Sequence, residues 1–154
     1  MGQWCHDNWE YLYGFERKPE PIDLTEKLTS YMEQNAMDLM TYRNDNGTVK
    51  AWFYFKDNVT DGGALDIKLQ DEWKFEEGHS YSFNKQILRY DDPGNINFGY
   101  VGAVIFPEEF LCFGAGLNQI KKHRFKFGNL STWYDDPRDN AMIKYGSSLY
   151  MNGR

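Results

Sequence analysis

The sequence predicts a single α+β domain in which a small antiparallel sheet packs against about three helices. Its length of 154 residues, 41% of them hydrophobic, suits one compact core. Apolar residues recur at helical spacing in the first third of the chain. Short aromatic runs separated by turn-forming residues then indicate strands, and a second helical region follows them.

An irregular arm and a long helix come first. Residues 1–20 contain several aromatic residues without a clear period, so we expect an arm there and the domain proper over residues 21–154. From Leu24 to Tyr42 apolar residues repeat every three or four positions, which predicts a helix. The Asn- and Gly-containing segment 44–47 ends it.

The central part of the chain is predicted to form the sheet. The aromatic run from Val49 to Lys56 predicts a strand, and Ala64 to Leu69 predicts a short strand or ledge. Residues 81–83 and 86–88 are typical of the two strands of a hairpin. The turn-forming segment 92–95 is then predicted to break the pattern.

Two further helices are predicted in the last third. Pro107 can occupy the first turn of a buried helix that runs to about Lys122. Asp136 and Pro137 then have the order of a helix cap and a first helical residue, which predicts a third helix covering Ala141 to Tyr145.

The charge of the chain disfavours nucleic acid as a partner. The formal net charge is −6, whereas proteins that bind nucleic acid generally present a basic face to the phosphates. One basic cluster, at residues 121–126, alternates with phenylalanines, and we interpret it as a solvated edge.

The sequence also bounds location and cofactors. We expect no membrane span, because no apolar run approaches the roughly 20 residues that a bilayer requires. We expect no signal peptide, so a carrier must move the domain if it leaves its cell. Cys5 and Cys112 have no metal-type spacing, and the sequence does not say whether they pair. Because His6, His79 and His123 share no ligand spacing either, we expect no metal and no cofactor.

One candidate pair of reactive side chains lies in the segment after the aromatic run. Asp66 and Lys68 are two residues apart, so on a strand they face the same side. They form either a structural ion pair or an acid and base whose properties are tuned by each other. Both interpretations stay open.

A second candidate group of polar residues lies in a glycine-rich segment. Asn95, Asn97 and Tyr100 crowd a glycine-rich segment, predicted as a tight loop that forms either a plain turn or a rim of polar groups around a substrate. Gln119, on the predicted second helix, can face inward and hydrogen-bond this loop.

Three carboxylates precede or begin the last predicted helix. Asp135, Asp136 and Asp139 can serve as caps and interact favourably with the helix dipole. A pair of them can instead divide into an acid and a base or nucleophile, as in glycoside hydrolysis.

The order and spacing of four segments resemble the type-44 family of bacterial polymorphic toxins. The segments are residues 62–68 (GGALDIK), 92–102 (DPGNINFGYVG), 114–119 (GAGLNQ) and 135–139 (DDPRD), the last followed by Ile143 and Gly146. Together they cover roughly residues 24–150. The first departs from the family pattern, because Leu65 stands where the family usually has a tryptophan.

The resemblance implies a toxin domain that a larger secreted protein or a secretion system carries into rival bacteria. It also implies a cognate immunity protein that neutralises the domain. The residues then support three hypotheses. In the first, a hydrolase cleaves cell-wall peptidoglycan glycan in the periplasm, using Asp66 with Asp135 or Asp139, while Asn95, Asn97 and Tyr100 bind substrate.

The second hypothesis is a ribonuclease that acts in the target cytoplasm. It would place Lys68, Tyr100 and the basic cluster at 121–126 around a scissile phosphate of RNA. The third is a binding module that docks a receptor without catalysis.

Overall fold

The computed structural model describes residues 19–59, 62–67, 70–106 and 137–153, and confirms the predicted α+β class within them. The described residues contain four helices and three short strands. In chain order these are β1 (Ile22–Asp23), α1 (Thr25–Asn46), α2 (Thr48–Val59), β2 (Tyr81–Phe83), β3 (Gln86–Leu88), α3 (Asp92–Gly102) and α4 (Pro137–Asn152), with a 3₁₀ turn at Asp71–Trp73. Nearly all of the predicted arm at 1–20 and the predicted helix at 107–122 lie outside these residues.

The sheet is small and mixed. β2 pairs with β3 in antiparallel register, which confirms the predicted hairpin, and β1 pairs with β2 in parallel. The hairpin turns through Asn84 and Lys85, which both have positive φ, as the tightest hairpin turns require. This turn is held at two points, because Thr25 Oγ1 accepts from Asn84 N and Asn84 Nδ2 donates to Tyr145 Oη.

The first helix is longer than the sequence predicted. α1 continues through Asn46, about one turn beyond Tyr42, and ends at Gly47, whose φ of 84° interrupts the helical path. The N–H of Gly47 still bonds to the carbonyl of Arg43. An Asn-rich segment therefore forms the last helical turn before the glycine ends it.

The predicted strand from Val49 to Lys56 is wrong: these residues belong to α2. The residues that α2 buries are Ala51, Phe55 and Val59, which lie four apart and so share one helix face. The aromatic residues between them conceal this period. Packing of that face against α1 outweighs the strand preference of the aromatic residues.

The strand predicted for Ala64 to Leu69 is also wrong over its described residues. Residues 64–65 form a turn, and Ile67 has a 3₁₀ conformation rather than a strand conformation. The carbonyl of Ala64 accepts hydrogen bonds from the Tyr31 hydroxyl and from Gln70 Nε2. Side chains rather than a neighbouring strand thus satisfy this backbone group.

The segment 92–95 does not break the pattern but begins α3. Pro93 lies in the first turn of this helix, where a missing N–H costs nothing. Ten of the residues of α3 are buried, including Gly94 and Gly99. The glycine-rich run is therefore a central helix, with the rest of the domain packed around it.

The predicted third helix is confirmed as α4, which begins at Pro137 and runs beyond Tyr145 to Asn152. α3 and α4 pack closely through glycines. A Cβ added at Gly99 would lie 1.9 Å from the carbonyl oxygen of Ile143, and one added at Gly146 would lie 2.0 Å from that of Ile96. Backbone meets backbone along this interface, so no side chain larger than hydrogen fits at either position.

Two groups of buried apolar residues surround α3. One joins α1, α2, α3 and α4 around Phe55, Phe98 and Ile143. The other joins the hairpin and the start of α1 to Ile96 and Met142. Tyr100 packs against both groups, which places α3 between them.

Candidate functional site

α3 and α4 begin at the same end of the domain. Asp92, the first residue of α3, accepts hydrogen bonds at 3.1 Å from Nε of Arg138, the second residue of α4. Further along, the rings of Tyr100 and Tyr150 meet edge to face at 5.3 Å. The two helices therefore run in the same direction, and the positive ends of both dipoles lie together.

The pair of Asp92 and Arg138 ties this end to the sheet. Asp92 is fully buried, and its Oδ2 also accepts from the backbone N–H of Arg89 at 2.7 Å. Arg138 Nη2 donates to the carbonyl of Ile87 in β3 at 3.0 Å. A charged pair thus connects α3, α4 and β3 and fixes where the two helices begin.

Asn95 and Asp139 meet one step further into the same interface. Asn95 Nδ2 donates to Asp139 Oδ1 over 2.9 Å. Asn95 is completely buried and Asp139 is 7% exposed. Asn95 Oδ1 has no hydrogen-bond partner among the described residues. We call these two residues the Asn95–Asp139 pair.

Asn97 lies on another side of α3. Its Nδ2 donates to the carbonyl of Leu65 and its Oδ1 accepts from Asn35 Nδ2, both at 3.4 Å. Because Asn95 and Asn97 are two residues apart, their side chains project about 200° apart around the helix axis. The amide of Asn97 therefore holds the segment that carries Asp66, whereas that of Asn95 meets α4.

Asp66 is partly buried and belongs to a local turn. Its Oδ2 accepts from the backbone N–H of Gly62 at 3.0 Å, and its own N–H donates to the carbonyl of Gly63. Gly63 itself lies against the backbone of Asn58, since an added Cβ would meet that carbonyl oxygen at 2.3 Å. Asp66 thus closes a turn that is held against the end of α2.

The structure brings some of the predicted site residues together and separates others. Asn95 and Asp139 form a direct contact, and Asn97 and Tyr100 belong to the same helix. Asp66 reaches α3 from the side of Asn97, away from the Asn95–Asp139 pair. The predicted loop is wrong, because Asn95 and Asn97 belong to a helix and their side chains are buried.

Several predictions concern residues that the structure does not describe. These are Lys68, Asp135, Gln119, the two cysteines, the cap at Asp136 and the basic cluster at 121–126. Within the described ranges, no group of three His, Cys, Asp or Glu side chains is placed to hold a metal ion. Nor does any described helix combine the length and the apolar character that crossing a bilayer requires.

The sequence reasoning missed the contacts of Asp92 and Arg138. A signal was present, because Asp92–Pro93 repeats the Asp–Pro order that predicted the start of α4 at Pro137. Two helix starts that carry opposite charges can be expected to lie beside each other. Asn35, which contacts Asn97 from the middle of α1, had no comparable signal.

Comparison with known proteins gives one match. The model of the family Bacterial toxin 44 matches residues 54–152, which run from the middle of α2 to the end of α4. No curated protein and no solved structure matches the chain. The match includes the hairpin, α3, α4 and all the predicted site residues, while α1 lies before it. Since it spans more than half of the sequence, the chain belongs to the Bacterial toxin 44 family.

Proposed function

We propose that this toxin domain hydrolyses the glycan of bacterial peptidoglycan in the periplasm of a target cell. The observation that carries the proposal is the Asn95–Asp139 pair, a nearly buried carboxylate held by an amide inside the family-matched region. Glycoside hydrolysis depends on carboxyl groups whose protonation is set by their surroundings. The net charge of −6 suits a neutral glycan better than a polyanion.

In this proposal Asp139 is one of the two carboxyl groups that act on the glycosidic bond. Asp135, four residues earlier in the sequence, and Asp66 are the candidates for the second. Asp66 follows Leu65, whose carbonyl contacts Asn97 on another side of α3 from the Asn95–Asp139 pair. Asn97, Tyr100 and Gln119 would bind or orient the sugar chain, and Lys68 remains a catalytic candidate beside Asp66.

The proposal includes the delivery and control of the domain. A larger secreted protein or a secretion system carries it to the rival cell, and a cognate immunity protein protects the producer. The ribonuclease hypothesis depends on Lys68 and residues 121–126, which the structure does not describe. It therefore enters below as an outcome of the experiment.

The test is the toxicity of the domain in a bacterium, expressed with and without a periplasmic signal. The wild-type domain is expected to cause lysis from the periplasm alone. Asp139→Asn is expected to raise survival about a hundredfold or more, the size of effect that loss of an acid or base produces. Asp66→Asn and Asp135→Asn identify the second carboxyl group.

Asp38→Asn is the matched control. Asp38 is exposed on α1, outside the family match, and its Oδ1 accepts a hydrogen bond from Gln34, one turn earlier, at 2.8 Å. This variant should kill as the wild type does. Killing from the cytoplasm with degraded RNA would replace wall hydrolysis by the ribonuclease. Absence of toxicity from both compartments would contradict the proposal altogether.

A further inference from the structure

We propose that the Asn95–Asp139 pair binds and deprotonates the water molecule that attacks the glycosidic bond, with Asp139 in its ionised form. This inference rests on the proposed function and assigns the two residues separate tasks within it. Asp139 takes a proton from the water, and Asn95 orients both the carboxylate and the water.

Three observations favour the ionised form of Asp139. The amide Nδ2 of Asn95 donates to its Oδ1 over 2.9 Å, and a donor stabilises a carboxylate more than a carboxylic acid. Asp139 lies in the first turn of α4, where the helix dipole favours negative charge. α3 runs in the same direction and begins beside it, so a second dipole adds to the first.

Among the described residues, the other charged groups at this end leave that preference in place. Asp92 on α3 is paired with Arg138 on α4, so its charge is compensated. Asp91 precedes α3, and Arg89 lies between β3 and α3. Burial of Asp139 opposes ionisation, and the amide donor together with the two helix ends offsets that cost.

Asn95 Oδ1 is the acceptor that would hold the water molecule in place. The atom is buried and has no hydrogen-bond partner among the described residues, a condition that native interiors rarely leave in place. An ionised Asp139 can only accept, so Nδ2 faces it and the amide oxygen lies at the other end. The oxygen is therefore an acceptor directly beside a carboxylate, which suits a molecule with two hydrogens to donate.

In the proposed step, one hydrogen of the water is transferred to Asp139 as a proton, while the other donates a hydrogen bond to Asn95 Oδ1. The water oxygen forms a bond to the anomeric carbon, and the bond between that carbon and the leaving oxygen breaks. The second carboxyl group of the proposed site, protonated beforehand, gives its proton to the leaving oxygen.

Two variants of Asn95 separate this role from a structural one. Asn95→Leu keeps the approximate size and removes both the donor and the acceptor. Asn95→Asp keeps the shape, and the introduced carboxyl group can replace the amide donor only while it holds a proton. Its activity should therefore fall as pH rises and the shared proton is lost, in addition to the decline that both proteins show when the second carboxyl group loses its proton.

The first measurement needs no substrate. An infrared titration of the wild-type domain, taken as the difference from Asp139→Asn, reports the ionisation of Asp139 directly. Asp139 is expected to be a carboxylate at neutral pH, and Asn95→Leu should raise the pH at which it titrates by about one unit, a tenfold change in proton affinity. A protonated Asp139 at neutral pH, or the same titration in both proteins, would overturn the inference.

The second measurement is the release of reducing sugar ends from purified peptidoglycan as a function of pH. Asn95→Leu should lose at least about tenfold in rate, and Asn95→Asp should retain activity only on the acidic side. An Asn95→Asp profile with the wild-type shape and a lower height would show a structural role only. If the wild type releases no sugar ends, the proposed function fails, whatever the titration of Asp139 shows.

Discussion

The two helix pairs of this domain are packed by opposite means. α1 and α2 meet through apolar side chains, with Leu39 on one helix and Ala51 and Phe55 on the other. α3 and α4 meet through glycines, so the backbones themselves are in contact. The first interface is an ordinary apolar core, whereas the second has no room for a Cβ at Gly99 or Gly146.

The difference has a chemical consequence. Polar contacts at the α3–α4 interface lie at its beginning, where Arg138 meets Asp92 and Asp139 meets Asn95. Close backbone contact leaves these groups little freedom to move, which suits groups that must hold a fixed geometry. The family match covers this interface entirely and only part of α2. In the proposed function, the α1–α2 pair supports the domain and the α3–α4 pair carries its chemistry.

The largest effect on stability is expected when the volume of each interface is changed by one methyl group. Gly146→Ala should destabilise the domain by about 3 kcal/mol, because the new Cβ would lie 2.0 Å from the carbonyl oxygen of Ile96 and neither helix backbone can yield. In an open helix the same change would be stabilising by up to about 1 kcal/mol. The sign of the change in the free energy of unfolding, measured in urea, decides between these.

The controls for Gly146→Ala lie in the rest of the chain. Ala51→Gly removes one methyl from the α1–α2 interface and should cost about 1.5 kcal/mol through helix propensity and lost burial. Gly153→Ala, at the end of α4, would bring its Cβ to 3.3 Å from the Leu149 carbonyl oxygen and should change little. A cost for Gly146→Ala no larger than that of Ala51→Gly would remove the distinction between the two interfaces.

The next largest effect is expected from the charged pair that fixes the start of α3 and α4. Arg138→Met would leave Asp92 fully buried without its charged partner, while the side chain of Arg138 is itself 30% exposed. We expect a loss of about 2 kcal/mol, less than for a wholly buried pair. Adding Asp92→Asn removes the buried charge and should restore part of the loss in urea unfolding.

A double variant that loses as much stability as the two single variants added together would contradict this account. It would mean that Arg138 and Asp92 stabilise the helices separately rather than through each other. These variants should also affect toxicity, because Arg138 directly precedes Asp139 in the sequence. The double variant should keep the Asn95–Asp139 pair in place and hence retain more toxicity than Arg138→Met alone.

The sequence predicted the fold class, the hairpin and α4, and its errors have physical reasons. The Asp–Pro order was interpreted as a helix start at Pro137 and as a turn at Pro93, and the structure has a helix start at both. What separated the two interpretations was the number of glycines and asparagines after Pro93. Those residues lower helix propensity, but close packing against α4 outweighs it.

The error at α2 has a different origin. Four consecutive aromatic residues, Trp52 to Phe55, show neither a helical nor a strand period, so local preference alone favoured a strand. Only tertiary packing shows that Ala51, Phe55 and Val59 form the buried face. A single sequence with uninterrupted apolar residues does not contain that information.

The sequence predicted which residues belong to the candidate site better than it predicted how they are arranged. Asn95 and Asp139 were both singled out, yet their contact joins residues 44 apart along the chain. Nothing in the local pattern predicts that α3 and α4 run in the same direction. The parallel arrangement follows from the glycine contacts and from the pair of Asp92 and Arg138, which depend on the fold as a whole.

The smallest expected effect lies outside both interfaces, at the start of α1. Asp23 Oδ1 accepts hydrogen bonds from the hydroxyl and the backbone N–H of Thr25, and these hold the pKa of Asp23 below its ordinary value of 3.8. The unfolded chain then binds this proton more readily than the folded one, so the contribution to stability is present above pH 3.8 and is lost as the pH falls through the folded pKa. Asp23→Asn should therefore lower Tm slightly at neutral pH, and the difference from the wild type should close in acid. A difference that stays constant across that range would show that the carboxylate charge has no part in holding the start of α1, and that α1, like its interface with α2, depends on packing alone.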